Sequence, residues 1–425
     1  MDRNAVAADV QHVWHPYTQH LSAVPPLEIV RASGAFIHTR DGRRILDAIS
    51  SWWVTLHGHS QPEIAEAIGR QAAQLDQVIF TTFTHEPAAL LARDLAGVLP
   101  DGLTRVFFSD DGSTAVEVAV KMALQYHANA GRVRPIIVAL EDAYHGDTFG
   151  AMSVSGRGTF TAPFEQLLFE VRRLPAPPEG DTVAALNAML DREGDQIAAL
   201  IVEPLLMGAG GMRVYDEAVL RALRSSAREH GVLFIADEVL TGFGRTGPLF
   251  ACDRAGIAPD IMCLSKGITG GALPLGATVT SEEVFAAFLS EDRRRTLFHG
   301  HSYTANPIAC AAARASLALL DDASAHRRAA INQAHVDQMR RLGSHPMVAN
   351  TRVIGTVAAF DLVGSTSDQS GYLSAIGSDL GAFALAHDVL LRPLGDVVYV
   401  LPPYCTTVDD LSNVYSVIEE FLISR

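Results

Sequence analysis

Residues 231–267 run GVLFIADEVLTGFGRTGPLFACDRAGIAPDIMCLSKG and contain two short apolar segments that predict buried strands. The first segment, 232–236, is followed at once by Asp237, and the second, 261–264, is followed by a serine and Lys266. The carboxyl ends of strands form the ligand-binding edge of an open α/β sheet. We therefore expect the Asp237 carboxylate and the Lys266 amine to lie at such an edge.

An acid and a lysine in these positions suit pyridoxal phosphate. This cofactor needs a lysine for its Schiff base and a carboxylate that keeps its pyridine nitrogen protonated. Each residue also has an ordinary interpretation, because Asp237 could pair with an arginine and Lys266 could be a solvated loop residue. The pair alone is suggestive, and the interpretation depends on the rest of the chain.

The composition bounds the class of protein. The chain has 425 residues, of which 48% are hydrophobic and 19% charged, which is typical of a globular enzyme with room for two domains. The net charge of −15 argues against a nucleic-acid partner. No apolar run approaches the ~20 residues that span a bilayer, and residues 1–4 lack the features of a secretory signal, so we expect neither. The four cysteines are scattered, which predicts a cytoplasmic protein without a structural metal.

Strands alternate with helical segments through the middle of the chain, which predicts a mainly parallel sheet covered on both faces. The strand predicted at 105–109 leads through a glycine-containing turn into a helix. Such a helix start directs free backbone N–H groups at an anion, so Gly112, Ser113 and Thr114 are candidate phosphate ligands. Thr114 and Glu117 have the spacing of a capping box at this helix start.

Four further side chains have both a structural and a functional interpretation. Trp52 and Trp53 could be core residues or the flat wall of a substrate pocket. Tyr144 follows a predicted strand and could be packed or could stack on a ring. Arg392 lies between apolar residues and needs an anionic partner, for which Asp388, a helix terminus or a substrate carboxylate would serve.

Taken together, these segments resemble the class III aminotransferases of the fold-type I pyridoxal-phosphate superfamily, over almost the whole chain. The markers are residues 112–117, 144–146, 237–239, 242–247 and 265–267. The resemblance implies an α/β fold with two domains. The large, cofactor-binding domain, with a mainly parallel mixed sheet, is expected at 51–317, and the smaller α+β domain at 1–50 and 318–425.

The resemblance also implies roles for the cofactor-binding residues. Lys266 would bind pyridoxal phosphate covalently and then shuttle a proton, Asp237 would hold the pyridinium proton, and Tyr144 would stack on the ring. The expected phosphate ligands are Gly112, Ser113 and, across the interface of a homodimer, Ser302.

A second group of residues most resembles the branch of this class that serves biotin biosynthesis. The group comprises residues 15–17, 51–53, 126, 392–393, 399 and 402–404. It implies small-molecule substrates, an amino-keto acid as acceptor and S-adenosylmethionine as donor, with lysine as an alternative donor. The candidate substrate-binding residues are Tyr17, which is also a catalytic candidate, Trp52, Trp53, Gly300, Arg392 for the acceptor carboxylate, and Arg245 as a weaker candidate.

The sequence departs from that branch at one position, and two rivals stay open. The branch usually has Pro-Thr after its His-Gly pair, whereas this chain has His301 and Ser302, which is closer to the general class III pattern. One rival is another class III transaminase, acting on an ω-amino acid, ornithine or aminobutyrate, which would share every cofactor residue. The other is a non-catalytic protein that keeps the fold, against which the intact pair Asp237 and Lys266 argues.

Overall fold

The computed structural model describes residues 5–363, 372 and 374–425. The strands are β1 Ile29–Ser33, β2 Phe36–Thr39, β3 Arg44–Asp47, β4 Leu103–Ser109, β5 Ile136–Leu140, β6 Arg172–Leu174, β7 Ile197–Val202, β8 Leu206–Met207, β9 Arg213–Val214, β10 Leu233–Asp237, β11 Ile261–Leu264, β12 Gly276–Ser281, β13 Val348–Ile354, β14 Val357–Leu362, β15 Val389–Leu390 and β16 Val397–Val400. The α-helices are α1 Ala5–His12, α2 Ser50–Trp53, α3 Pro62–Gln74, α4 Glu86–Ala96, α5 Gly112–Asn129, α6 Phe149–Val154, α7 Thr182–Glu193, α8 Glu217–Glu229, α9 Ala251–Ala255, α10 Glu282–Ala286, α11 Pro307–Ala318, α12 Asp322–Leu342, α13 Ala375–Ala386 and α14 Val408–Ile423.

The central sheet has the strand order β4-β12-β11-β10-β7-β5-β6. All its strands run parallel except β12, which is antiparallel to both of its neighbours. Alternate residues of β10 enter two separate apolar clusters, Phe234 on one face of the sheet and Ile235 on the other. Both faces are therefore covered, and the predicted α/β fold with a mainly parallel mixed sheet is confirmed.

A second sheet joins residues from distant parts of the chain. Its order is β1-β2-β3-β15, and β15 pairs in parallel with β3 through Val389–Leu46 and Leu390–Asp47. A third sheet, β13-β14-β16, lies in the last hundred residues. This joining supports a small domain built from both chain ends, although the boundaries given above stay a prediction.

Two elements differ from the sequence prediction. The run at 353–362 predicts one strand, but the chain forms a hairpin there, with β13 and β14 antiparallel. The helix α12 was not predicted, because its polar face is broad and its apolar positions are few. Among the described residues, no helix is long and apolar enough to cross a membrane.

Candidate active site

Several strand ends meet at one cavity of about 390 Å³. The parallel neighbours β10 and β11 end beside each other, so Asp237 at the end of one lies near Lys266 beyond the end of the other. The cavity is also lined by Gly112, Ser113 and Tyr144. The structure thus brings together the cofactor residues that the sequence predicts for a single chain.

Asp237 lines this cavity and has little contact with solvent. Its side chain is 5% exposed, and Oδ2 lies 2.6 Å from Nδ1 of His145, whose own side chain is fully buried. Oδ1 accepts a hydrogen bond from the backbone N–H of Val239 at 3.1 Å. The partner of Asp237 among the described residues is therefore a histidine rather than an arginine. His145 was missed as a functional residue, although it stands inside the 144–146 marker.

Lys266 is largely buried, with its Nζ 4.6 Å from the centroid of the Trp53 indole. Burial lowers the pKa of this amine from 10.5 to about 8, the nearby Asp237 and Glu203 carboxylates oppose that effect, and Arg245 adds to it. The neutral form of the amine, which acts as nucleophile or base, is therefore far more populated near neutral pH than it is at the ordinary pKa. The solvated interpretation of Lys266 does not describe this position.

The helix start at α5 is capped differently from the prediction. Asp111 is the N-cap residue and accepts a hydrogen bond from the backbone N–H of Thr114 at 2.8 Å, while Thr114 Oγ1 accepts one from Asp111 N at 3.0 Å. The capping box predicted at Thr114 and Glu117 is therefore wrong, because the observed box lies three residues earlier, at Asp111 and Thr114. Glu117 instead accepts hydrogen bonds from Thr148 Oγ1 and Gly150 N, which tie α6 to α5.

Two glycines keep the start of α5 accessible to a ligand. A Cβ at Gly112 would lie 2.7 Å from Cγ1 of Val239, and one at Gly146, where φ is 133°, would lie 2.1 Å from Oγ of Ser113. Neither position therefore accommodates a side chain, so the start of α5, where Gly112 and Ser113 line the cavity, is not narrowed by one. The first backbone N–H groups of the helix and the helix dipole favour an anion such as a phosphate.

Glu203 is a second residue that sequence reasoning missed. Its carboxylate is buried and accepts hydrogen bonds from the backbone N–H groups of Tyr144 at 3.0 Å and of Gly208 at 2.8 Å. Burial raises its pKa to about 6. The available signal was that the apolar strand β7 runs almost directly into this acid, as β10 runs into Asp237.

Tyr17, Trp52 and Trp53 form an aromatic group next to Arg392. The rings of Tyr17 and Trp52 lie 5.6 Å apart, and the Arg392 guanidinium lies 4.4 Å from the Trp52 centroid. The Tyr17 hydroxyl donates to the carboxylate of Asp147, and burial raises the Tyr17 pKa to about 12. Trp53 is buried and lines the cavity, whereas Trp52 is 40% exposed.

Arg392 forms no ion pair with any residue that the structure describes. Asp388, one of the partners considered for it, pairs with Arg43 at 2.8 Å. Among the described residues, the Arg392 guanidinium therefore has no carboxylate partner, and a substrate carboxylate stays a candidate for it.

Six of the predicted residues do not line this cavity. Tyr17, Trp52 and Arg392 belong to the aromatic group just described, and the other three lie elsewhere. Arg245 is 1% exposed and donates to the carbonyl oxygens of Pro402, Trp53 and Thr55, so it supports the chain behind the cavity and does not line it. This position agrees with a role of Arg245 in stabilising the site, and its role toward a substrate stays a prediction. Gly300 and Ser302 also do not line this cavity. The substrate contact of Gly300 and the place of Ser302 in the site of a second subunit stay predictions.

Comparison with known proteins agrees with this geometry. The family model described as Aminotransferase class-III matches residues 17–422. The chain is 51% identical over 422 residues to a curated protein from Synechococcus elongatus named adenosylmethionine-8-amino-7-oxononanoate aminotransferase, with 97% of this chain and 98% of the relative covered. A relative of the same name from Geobacter sulfurreducens is 40% identical, with 95% and 94% covered. The chain belongs to the class III aminotransferases.

Solved structures give the same result. A crystal structure of adenosylmethionine-8-amino-7-oxononanoate aminotransferase from Methanocaldococcus jannaschii has a TM-score of 0.92 at 34% identity, covering 97% of this chain and 98% of that one. An omega transaminase from Pseudomonas jessenii in complex with PMP has a TM-score of 0.91 at 26% identity, covering 99% and 98%.

The protein is a pyridoxal-phosphate-dependent aminotransferase, and the cavity fits that cofactor. A class III aminotransferase needs an anion site, a carboxylate and a lysine at one cavity, and all three are present here. The open helix start, the buried Asp237 and the largely buried Lys266 supply them.

Proposed function

We propose that this aminotransferase converts 8-amino-7-oxononanoate to 7,8-diaminononanoate, a step of biotin biosynthesis, with S-adenosylmethionine as the amino donor. The names of the curated relatives support this assignment. The observation on this chain that carries it is the Arg392 guanidinium, which stacks on Trp52 and forms no ion pair with a described residue. Such a group suits the distal carboxylate of a long amino-keto acid.

The roles at the cofactor follow from the positions of the side chains. Pyridoxal phosphate, when bound, supplies an electron sink for the carbon that gains or loses the amino group. Asp237, oriented by His145, would accept a hydrogen bond from the protonated ring nitrogen. Gly112 and Ser113 would hold the phosphate at the start of α5, and Tyr144 would pack on the ring.

Lys266 would attach the cofactor covalently and, once released by substrate, move a proton at the reacting carbon. Its burial keeps a useful fraction of the amine neutral, because a charged amine in this cavity loses its hydration. The two half-reactions would follow a ping-pong order in which the donor binds first and the amino-keto acid second.

The acceptor would lie along the aromatic group. Trp52, Trp53 and Tyr17 present flat apolar faces that can line the methylene chain of the substrate, and Arg392, which lies over the Trp52 ring, would bind the carboxylate at its end. The Tyr17 hydroxyl is already fixed by Asp147, so we assign Tyr17 to substrate positioning and proton relay near the cavity mouth.

The functional unit proposed is a cytoplasmic homodimer. Gly300 and Ser302 lie outside the cavity of their own chain, so each site would be completed by the partner's Ser302 at the phosphate. The four cysteines are free, and three of them are buried, which suits a reducing compartment.

A spectroscopic experiment tests the proposal. S-adenosylmethionine or lysine is added separately to the pyridoxal form of the enzyme, and the cofactor absorbance band is followed before and after addition of 8-amino-7-oxononanoate. Loss of the band with S-adenosylmethionine and its return with the amino-keto acid is the expected result. Loss with lysine alone would change the donor and keep the acceptor.

The same experiment separates the proposal from its rival. A band that disappears with a donor but does not return with 8-amino-7-oxononanoate would contradict the acceptor assignment. The protein would then be a class III transaminase of another ω-amino acid. Arg392 would need a different anionic ligand in that case.

A further inference from the structure

The short helix α2, Ser50–Trp53, carries the two tryptophans, and its backbone is a strained turn with non-helical angles rather than a regular helix. Ser50, Ser51 and Trp53 have φ angles of 52°, 58° and 67°, and none of them is glycine. L-residues rarely adopt this left-handed region, because Cβ clashes with the neighbouring peptide. Several such residues in one short turn persist only where the surrounding structure holds them in place.

Asp47, at the end of β3, provides that hold. Its side chain is fully buried, and both oxygens accept hydrogen bonds from Ser51 N, at 2.9 and 2.7 Å. Oδ1 also accepts from Ile49 N, and Oδ2 from Ser51 Oγ. His59 Nε2 lies 2.8 Å from Oδ2 and completes the set.

This turn determines the positions of the Trp52 and Trp53 side chains. Trp52 follows Ser51 directly and carries Arg392 on its ring at 4.4 Å. Trp53 is the next residue and places its ring 4.6 Å from the Lys266 amine. A shift of this turn would therefore move both the acceptor-binding surface and the ring against the lysine.

We propose that Asp47, itself oriented by His59, is a positioning residue that holds the strained turn Ser50–Trp53 and thereby sets affinity for the acceptor. The inference rests on the proposed function for the identity of that acceptor. Asp47 does not line the cavity, so its effect would pass through Trp52 and Trp53.

The test is Asp47→Asn, measured in two ways. Each carboxylate oxygen faces donors, so an amide nitrogen in place of either one meets a donor and loses its bond. KM for 8-amino-7-oxononanoate should rise about tenfold, since a small displacement of a positioning group has effects of this order or larger. Energy transfer from tryptophan to the bound cofactor, measured without substrate, should change because Trp53 moves relative to Lys266. Trp53→Phe assigns that signal among the three tryptophans.

Asp260→Asn is the matched control. Asp260 accepts from Phe234 N at 2.7 Å and pairs with Arg224 at 2.8 Å, away from the cavity. Its loss should lower the unfolding temperature while both readouts stay within about twofold of wild type, which supports the proposal. Equal changes in the Asp47 and Asp260 variants would show general destabilisation and overturn it. So would an Asp47→Asn enzyme with unchanged KM and unchanged energy transfer.

Two further outcomes are also decisive. Should Asp47→Asn not fold, His59→Leu takes its place, because leucine has no donor for the carboxylate and the Ser51 contacts are left in place. That variant should shift both readouts in the same direction by a smaller amount, and no shift would overturn the proposal. Should the wild type not accept 8-amino-7-oxononanoate, the proposed function fails, and energy transfer alone then decides the role of Asp47.

Discussion

Lys266 can be tested without substrate by replacing it with methionine in the cofactor-free protein. Burial lowers the pKa of this amine from 10.5 to about 8. Between these two values the unfolded chain binds more protons than the folded one, so the stability of the wild type rises with pH through this window. Below pH 8 the amine is charged in both the folded and the unfolded state. Its burial then destabilises the folded state by the full free energy that corresponds to the pKa difference.

The magnitude follows from the two pKa values. Each unit of difference between the two pKa values corresponds to about 1.4 kcal/mol, so the charged amine lowers the free energy of unfolding at pH 7 by about 3 kcal/mol. This penalty falls to about 2 kcal/mol at pH 9 and to about 1 kcal/mol at pH 10 as the unfolded lysine also loses its proton. Lys266→Met has a side chain of similar length and no charge, so it should be more stable than wild type by these amounts.

The assay is urea unfolding of both cofactor-free proteins at pH 7, 9 and 10, at one protein concentration. The control is Lys121→Met, which removes the only other lysine of the chain. Lys121 is exposed and contacts His299 and a carbonyl oxygen, so its loss should have a small, nearly pH-independent effect. A Lys266→Met stability gain that is the same at pH 7 and pH 10 would refute the buried, shifted amine. The variant should also have no transaminase activity when the cofactor is supplied.

Three other substitutions test the site. Arg392→Ala should raise KM for the amino-keto acid at least about tenfold and KM for the donor far less, since a hydrogen bond to a charged group contributes about 1.5–3 kcal/mol; a rise below about twofold would remove Arg392 from the acceptor site. His145→Leu should lower kcat about tenfold or more with the cofactor still bound, because leucine has no donor and Asp237 loses its 2.6 Å partner; an unchanged kcat would show that Asp237 needs no orientation. Gly146→Ala should weaken binding of pyridoxal phosphate to the cofactor-free protein in a fluorescence titration, because its Cβ would meet Ser113 Oγ, while Gly69→Ala, with no atom nearby, should not; equal affinities would contradict the open helix start.

The sequence predicts the sheet and the cofactor residues because both depend on local features. A run of apolar residues between turn signals marks each buried strand, and the residue after it must lie at the edge of the sheet. Asp237 and Lys266 were placed by this rule alone. Their closeness needed one more fact, that β10 and β11 are neighbours, which is the usual arrangement for strands that follow each other along the chain.

What the sequence could not give are contacts between distant residues and the direction of side chains. His145 meets Asp237 across 92 positions of the chain, and Asp47 meets its turn within four residues but in a backbone conformation that no propensity predicts. Arg245 lies on a glycine-rich loop next to the site, and this position made it a candidate substrate-binding residue. Its side chain points to the carbonyl oxygens of Trp53 and Pro402 instead.

The single antiparallel strand explains how one wall of the cavity is built at this edge of the sheet. The parallel strands present their carboxyl ends there, whereas β12 runs the other way and presents its amino end, Gly276. A Cβ at Gly276 would lie 2.2 Å from the carbonyl oxygen of Asp111, so the strand begins directly against the cap of α5. The residues that lead into it, 271–275, therefore become a wall of the cavity. A fully parallel sheet would have no strand that begins at this edge. No segment such as 271–275 would then lead into the sheet beside the phosphate end of the site.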